Sequence, residues 1–317
     1  MKMTTVKTMH RLDQFLNQAM PLLSPLGVVL GVGFADFFIL FRPYISWIFA
    51  VITLSGALKL RAKELGKAVS SPMPILFFFV GSRIVMPLAI FFLSRLIFWN
   101  DPDTVSGYVL LYSVPTAVTG LLWVSIFGGN SALFLTLILL DTALAPLLVP
   151  GTVRLLLGTS IRLDMTGMAI SLSFMIVIPT VAGIALNEFS RGKIPALVSP
   201  YLAPFSKFAI VLLIAANSSG AASQIRPDNP RLWVIIAVCI FFSVSSFMFA
   251  RFLSRAGKFD REKQISLFFA CGLKNIGAAM ALTINYFPAA AALPAVLGII
   301  FQQTTAALMG RILLKER

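Results

Sequence analysis

Long apolar runs separated by short polar links set the pattern of this chain. A helix needs about 20 predominantly apolar residues to cross the hydrocarbon core of a bilayer. Stretches that approach or exceed this run over 20–40, 44–59, 73–98, 105–127, 131–157, 165–187, 203–223, 231–254, 264–286 and 290–313. The links are rich in proline, glycine and charge, as in FRPY, KLRAKELGK, WNDPDTVSG, NEFSRGK, QIRPDNPR and SRAGKFDREK. No stretch reads as a soluble domain or a low-complexity tract. The pattern predicts an all-α membrane protein in which residues 1–317 form one unit of ten transmembrane helices.

Ten crossings divide into two halves of five, 1–160 and 161–317, which then have opposite topologies. The fourth and ninth stretches stand at matching positions and both carry helix breakers. The fourth reads SVPTAVTGLLWVSIFGGN, with Pro115 five residues before Gly120; the ninth reads FFACGLKNIGAAMALTINYFP, with Gly272 five residues before Gly277. Paired interruptions in corresponding halves point to a transporter site built by inverted repeats. Glycine and proline are also common in membrane helices for packing alone, and that reading stands beside the first.

Composition agrees with a lipid environment. The 317 residues are 58% hydrophobic and 12% charged, with a mean hydropathy of +0.91, whereas a soluble domain carries about 25% charged residues. The net charge of +14 is not gathered into one patch, so it does not point to nucleic acid. With the N-terminus placed in the cytoplasm, 17 of the 26 lysines and arginines fall on the cytoplasmic side and six on the other, leaving Arg83, Lys207 and Lys274 inside spans. That bias predicts a multi-pass protein of the cell (inner) membrane with both termini cytoplasmic. The opening MKMTTVKTMHRLDQ is polar and basic and lacks a cleavage-site pattern, so no secretory peptide is expected. Cys239 and Cys271 lie in apolar runs and read as small core residues. His10 is the only histidine, which excludes a histidine-based hydrolase or zinc site within the membrane. No cofactor, metal or catalytic residue is expected.

Charges near the middle of a bilayer cost about 2.5–3.5 kcal/mol each on insertion scales, so each asks for a reason. Arg83 lies mid-way along the third stretch, Asp141 along the fifth, and Lys274 along the ninth beside Asn275. Lys207 and Asp36 lie near enough to span ends to snorkel to the interface. In one reading Asp141 pairs with Lys274 or Arg83 as a bridge that specifies the fold. In the other, the three line a polar cavity in which Arg83 or Lys274 attracts a carboxylate. There Asp141 or Lys274 exchanges a proton, lysine being the better proton carrier and arginine the better fixed charge. Thr116, Thr119, Thr142, Gln302, Gln303, Thr304 and Thr305 supply neutral polar groups in the same regions. Helix ends opened at the interruptions add backbone donors. Gly27-x-x-x-Gly31 fits close helix packing, and Phe77-Phe78-Phe79 reads as lipid-facing filler.

Over nearly its whole length the chain resembles the bile acid:sodium symporter family. The likeness is clearest in ITLSGALKLRAKELGKAVSSP, VMPLAIFFLSRLI, SVPTAVTG, GGNSALFLTLILLDTALAPLLVP and CGLKNIGAAMAL. It implies ten helices in two inverted five-helix repeats, broken fourth and ninth helices that cross, and a core and a panel domain that move against each other. The sodium ligands that it implies do not carry over. Where the ninth helix of sodium-coupled members reads E-x-G-x-Q-N, this chain has Ala270-Cys271-Gly272-Leu273-Lys274-Asn275, and only Asn275 matches. The glutamine of the third helix falls on Ser82, the Ser-Asn pair of the fourth on Gly120-Leu121, and two hydroxyl ligands of the fifth on Phe134 and Ile138.

The function expected from these readings is secondary transport of a small organic anion without sodium coupling. Lys274 then stands in for a cation, and coupling passes to protons or is absent. A sodium-coupled organic-anion symporter and a cation/proton antiporter of similar architecture are the alternatives; an intramembrane enzyme or sensor fits less well. Substrate binding falls to Asn275, Lys274, Thr116, Thr119, Arg83, Gln302 and Gln303, and ion or proton coupling to Lys274 and Asp141. Substrate identity and oligomeric state are not legible.

Overall fold

The computed structural model describes residues 2–60, 72–158, 164–226 and 228–314, the side chains of 2–7, 10, 17, 18 and 21 excepted. Of the positions in the charge count, Arg61, Lys63, Lys67, Arg162, Lys315 and Arg317 lie outside the described residues, as do the side chains of Lys2 and Lys7. Among the described residues all regular structure is helical. In chain order the helices are α1 (Lys2–Gly33), α2 (Ala35–Ala57), α3 (Pro72–Ile97), α4 (Pro102–Ser113), α5 (Gly120–Ile126) and α6 (Ser131–Leu157), then α7 (Met165–Phe189), α8 (Lys193–Gly220), α9 (Pro230–Ala256), α10 (Arg261–Gly272), α11 (Ile276–Tyr286) and α12 (Ala289–Leu313).

Local sequence sets many of the starts. Asp101, Asn130, Asp164, Asp260 and Asn275 each accept a bond from a backbone N–H three residues on, the capping that short polar side chains provide at a helix N-terminus. Pro102 and Pro230 occupy first-turn positions, where the missing N–H costs nothing. Two helices contain π turns, Val80–Val85 in α3 and Ser173–Val177 in α7, each with a proline two residues beyond its end, Pro87 or Pro179.

Among the described residues, seven helices are long and apolar enough to cross a membrane: α2, α3, α6, α7, α8, α9 and α12. In lipid each backbone polar group must be satisfied within the protein, and helices do this. Large apolar side chains such as Leu96, Leu155 and Phe189 point outward and are 77%, 80% and 91% exposed, as expected where the surrounding medium is hydrocarbon. Close backbone approach is bought with glycine. Gly31 of α1 faces the backbone of Ala215 in α8, with its missing Cβ position 2.8 Å from that Cα. Gly183 of α7 meets Ala57 at the end of α2 in the same way.

Four expectations change. The first and second stretches do not divide at FRPY: the chain bends at Phe34, and Arg42 and Pro43 lie within a 3-10 turn, Ile39–Tyr44, inside α2. The seventh helix starts at Lys193 and not near 203, because Pro200 and Pro204 sit within α8 without ending it. Phe78 is not lipid-facing filler but fully buried core. Lys207 does not snorkel from a span end: it lies mid-way along α8 and is ion-paired with Asp13 of α1. Cys239 and Cys271 are buried free thiols.

Candidate functional site

Between α4 and α5 the chain is unwound over 114–119, and between α10 and α11 over 273–275. Pro115 lies within the first interruption, Gly120 opens α5, Gly272 closes α10, and Gly277 is in the first turn of α11. The two unwound segments run antiparallel against each other. Thr116 and Lys274 form an isolated β-bridge, the Asn275 N–H donates to the Pro115 carbonyl at 2.7 Å, and the Ala117 N–H to Leu273 at 3.4 Å. The Thr116 hydroxyl donates to the Ala270 carbonyl at 2.8 Å. Strand-like bonds thus replace the helical bonds that each break removes. Gln302 of α12 completes the account for Lys274, accepting from its N–H at 2.8 Å and donating to its carbonyl at 3.0 Å.

The three buried charges meet at this crossing. Arg83, in the π turn of α3, is ion-paired with Asp141 of α6. It also donates to the carbonyls of Ser113 and, at 3.0 Å, Val114. Those carbonyls are the open C-terminal end of α4, where a cation is favoured by the helix dipole. Asp141 further accepts from the Thr116 N–H at 2.7 Å. Lys274 is not paired with Asp141; its ammonium donates to the Ser82 hydroxyl at 2.6 Å. Arg83, Asp141 and Lys274 are 7%, 0% and 2% exposed, so they sit behind the protein surface, and with all three ionised their formal charges sum to one positive unit. Two atoms of the group, Arg83 Nε and Asp141 Oδ1, have no hydrogen-bond partner among the described residues.

The neutral residues form a second, accessible layer. Thr119 is exposed, and Asn275, Gln302 and Gln303 are partly exposed, while Thr116 is buried with the charges. Gln303 donates to the Thr119 hydroxyl at 3.4 Å and accepts from the Trp123 indole at 2.9 Å. Asn275 spends its carbonyl oxygen on capping α11, through the Ala278 N–H at 3.3 Å. The first N–H groups of α5 are held by its own preceding turn, Gly120 to Ala117 and Leu121 to Val118.

At the positions where the resemblance sets sodium ligands, side chains fill the space. The Phe134 ring lies against Gly120, where any Cβ would collide with it, and Phe134, Ile138 and Ala270 are all buried and apolar. Ser82 and Lys274 bond directly to each other. Sequence reading did not anticipate the roles of Ser82, Trp123 and the Ser113–Val114 carbonyls. Ser82 was detectable as the polar neighbour of Arg83 in an apolar run; the carbonyls carry no side-chain signal at all.

Known proteins resemble this chain over most of its length. A model of the Sodium Bile acid symporter family matches residues 46–227. The chain is 37% identical to YbaS of Bacillus subtilis over 294 residues, covering 93% of this chain and 96% of the relative. It is 25% identical to the probable sodium/metabolite cotransporter BASS1, chloroplastic, of Arabidopsis thaliana, covering 86% of this chain and 67% of the relative. With the sodium-dependent transporter YocS of Bacillus subtilis it shares 22% identity, over 90% of this chain and 87% of the relative.

Proposed function

The chain belongs to the sodium bile acid symporter family, whose members are transporters and not enzymes, and from that premise we propose that it carries a small organic anion by alternating access without sodium coupling. One observation supports the reading: at positions to which the resemblance assigns sodium ligands, the protein's own side chains fill the space. The Lys274 ammonium bonds Ser82 at 2.6 Å, and the Phe134 ring covers Gly120. A sodium ion about 4 Å from that ammonium would meet roughly 4 kcal/mol of repulsion at an effective dielectric near 20. That cost is about a thousandfold in affinity.

The substrate face is the accessible layer of Thr119, Asn275, Gln302 and Gln303, whose amides and hydroxyl supply hydrogen bonds. The buried charges behind it set a positive potential that favours an anion over a neutral or cationic solute. Arg83 is committed to Asp141 and two carbonyls, so it acts as fixed charge and not as a direct ligand. Lys274, whose ammonium has a hydroxyl and, among the described residues, no carboxylate as partner, is the residue placed to exchange a proton. The architecture that goes with this reading has ten crossings in two inverted five-helix halves, 1–160 and 161–317, with the interrupted pairs α4–α5 and α10–α11 as the crossing helices and both termini cytoplasmic.

A sodium-coupled reading is favoured by the names of the relatives BASS1 and YocS and by Asp141 Oδ1, an anionic oxygen without a partner among the described residues. Thermal unfolding of the detergent-purified protein separates the two. Bile acids, keto acids, pantothenate-like acids and sulfated steroids are screened with and without sodium at two pH values, since a ligand of the native state raises its stability in proportion to the logarithm of concentration over Kd. Stabilisation by an anion that varies with pH and ignores sodium supports the proposal; stabilisation that requires sodium overturns it. In vesicles, Lys274→Gln removes the pH dependence of uptake, and a variant that transports with an unchanged pH profile rules out the lysine as proton carrier.

A further inference from the structure

Away from the crossing, a groove of about 460 Å³ lies between the last turns of α9 and the end of α12. It is lined by the apolar side chains of Met248, Phe252, Ala256 and Leu313 together with Arg251 and Arg255. Because α9 is long and apolar enough to span a membrane, its final turns fall at the level where hydrocarbon gives way to headgroups. The same end continues into Lys258, Arg261 and Lys263. Carboxylates do not neutralise the groove: Asp260 is held by Lys263 at 2.5 Å, and among the described residues no carboxylate pairs with Arg251 or Arg255. Arg251 donates through Nη1 to Gln264 at 2.8 Å, while its buried Nε has no hydrogen-bond partner there. Phe252 is 68% exposed and Met248 57%, a surface suited to hydrocarbon and not to water.

We propose that this groove binds an anionic phospholipid, its phosphate held by Arg251 and Arg255 and an acyl chain lying along Met248, Phe252 and Leu313. A guanidinium pair presents a fork of donors that matches phosphate oxygens. Basic pockets between transmembrane helices at the membrane edge are where such headgroups are recognised. The apolar wall distinguishes a lipid from a free anion, because inorganic phosphate would gain nothing from Phe252 or Leu313. An uncharged or zwitterionic lipid would gain the wall but not the arginines.

The test uses the full-length protein, purified in detergent and stripped of lipid, titrated with phosphatidylglycerol, phosphatidylcholine or inorganic phosphate and followed by native mass spectrometry. Phosphatidylglycerol is expected to bind at least about tenfold more tightly than phosphatidylcholine, each basic residue near the surface contributing roughly fivefold. R251Q/R255Q brings the two lipids to within about twofold, while R95Q, which alters an exposed arginine on α3, keeps the preference. R255Q alone, at an exposed position, keeps the test open should the double variant not fold, and is expected to lose about fivefold. Equal binding of the two lipids by the unaltered protein overturns the proposal. So does a preference unchanged in either arginine variant, or phosphate competing as well as the lipid does.

Discussion

Asp141→Asn tests the buried ion pair most directly. The carboxylate is fully buried, pairs with Arg83 and accepts the Thr116 N–H at 2.7 Å. Asparagine keeps the shape and can still accept from Thr116, but it leaves the Arg83 cation without a counter-charge. Breaking a buried pair by removing one partner costs about 3–5 kcal/mol. The Val114 carbonyl, 3.0 Å from the guanidinium, and that of Ser113 remain in place, so the loss falls at the low end, about 3 kcal/mol. For 317 residues at about 2.1 cal/mol/K of unfolding entropy each, one kcal/mol moves Tm by about 1.5 °C, which gives a drop of roughly 4–5 °C. Arg83→Gln should cost more, because it strands the carboxylate and gives up both carbonyl bonds. The double variant R83Q/D141N removes both charges and should lose less than the sum of the singles, by about 2 kcal/mol. The assay is thermal unfolding in one detergent at one scan rate, since unfolding of such proteins is often irreversible. A D141N protein melting within about 1 °C of the parent, or strict additivity in the cycle, would refute the pairing and the net charge assigned to the site.

Gln302→Ala removes both bonds to the unwound Lys274 backbone and should cost about 2 kcal/mol at roughly 1 kcal/mol per bond; Gln302→Glu keeps only the accepting half, and equal melting of the two would sink the account. Gly31→Ala drives a Cβ into the Ala215 backbone and should destabilise by about 1–3 kcal/mol, whereas Gly56→Ala, with open space at its Cβ position, should be neutral or gain up to about 1 kcal/mol. Asp260 titrates below the usual carboxylate range because the Lys263 side chain bonds it, against a smaller opposing effect of burial. A depressed folded-state pKa contributes stability above the unfolded value of 3.8 and loses it as pH falls through the folded one. Asp260→Ala, which also removes the α10 cap, should therefore cost about 1 kcal/mol at neutral pH, with the gap to the parent closing below about pH 4; a gap that does not change with pH counts against it.

How far the sequence speaks depends on what kind of force decides each feature. Apolar length and helix breakers are local, so α6, α7 and α9 and the interruptions at Pro115 and Gly272 are legible. The division between α1 and α2 is not, because GVGFADFFILFRPYISW is apolar on both sides of Phe34 and the arginine and proline of FRPY signal a break more strongly than Gly33 at the bend. Pro200 and Pro204 mislead in the opposite direction: α8 runs through both, and proline inside a membrane helix is tolerated where the freed backbone groups find other partners. The choice between Arg83 and Lys274 as partner of Asp141 is wholly three-dimensional. Both are cations of similar reach, and what decides is that the π turn of α3 buries Gly81, Ser82 and Arg83 in succession, setting the guanidinium against the end of α4 and leaving Ser82 for the lysine.

The same geometry explains why charges occur here at all. Two helices, α4 and α10, end at the crossing, and each end leaves carbonyls that no helical bond takes up. In a membrane interior water is not available to do it. Arg83 answers one end through Ser113 and Val114, and Thr116 answers the other through Ala270. Lys274 adds a positive charge close to both and spends it on a neutral hydroxyl. A site with this electrostatic demand can be satisfied by soluble cations or by built-in ones, but not by both at once without repulsion of several kcal/mol. If the built-in cations do that work, sodium has no differential affinity between the states of the transport cycle, and an ion without differential affinity cannot shift an equilibrium. Sodium titrated over a wide range at constant ionic strength should then leave Tm unmoved in the parent protein. In Lys274→Gln, where the ammonium is replaced by an amide carbonyl next to Ser82, the same titration should raise it, and a sodium response already present in the parent would contradict the whole electrostatic account.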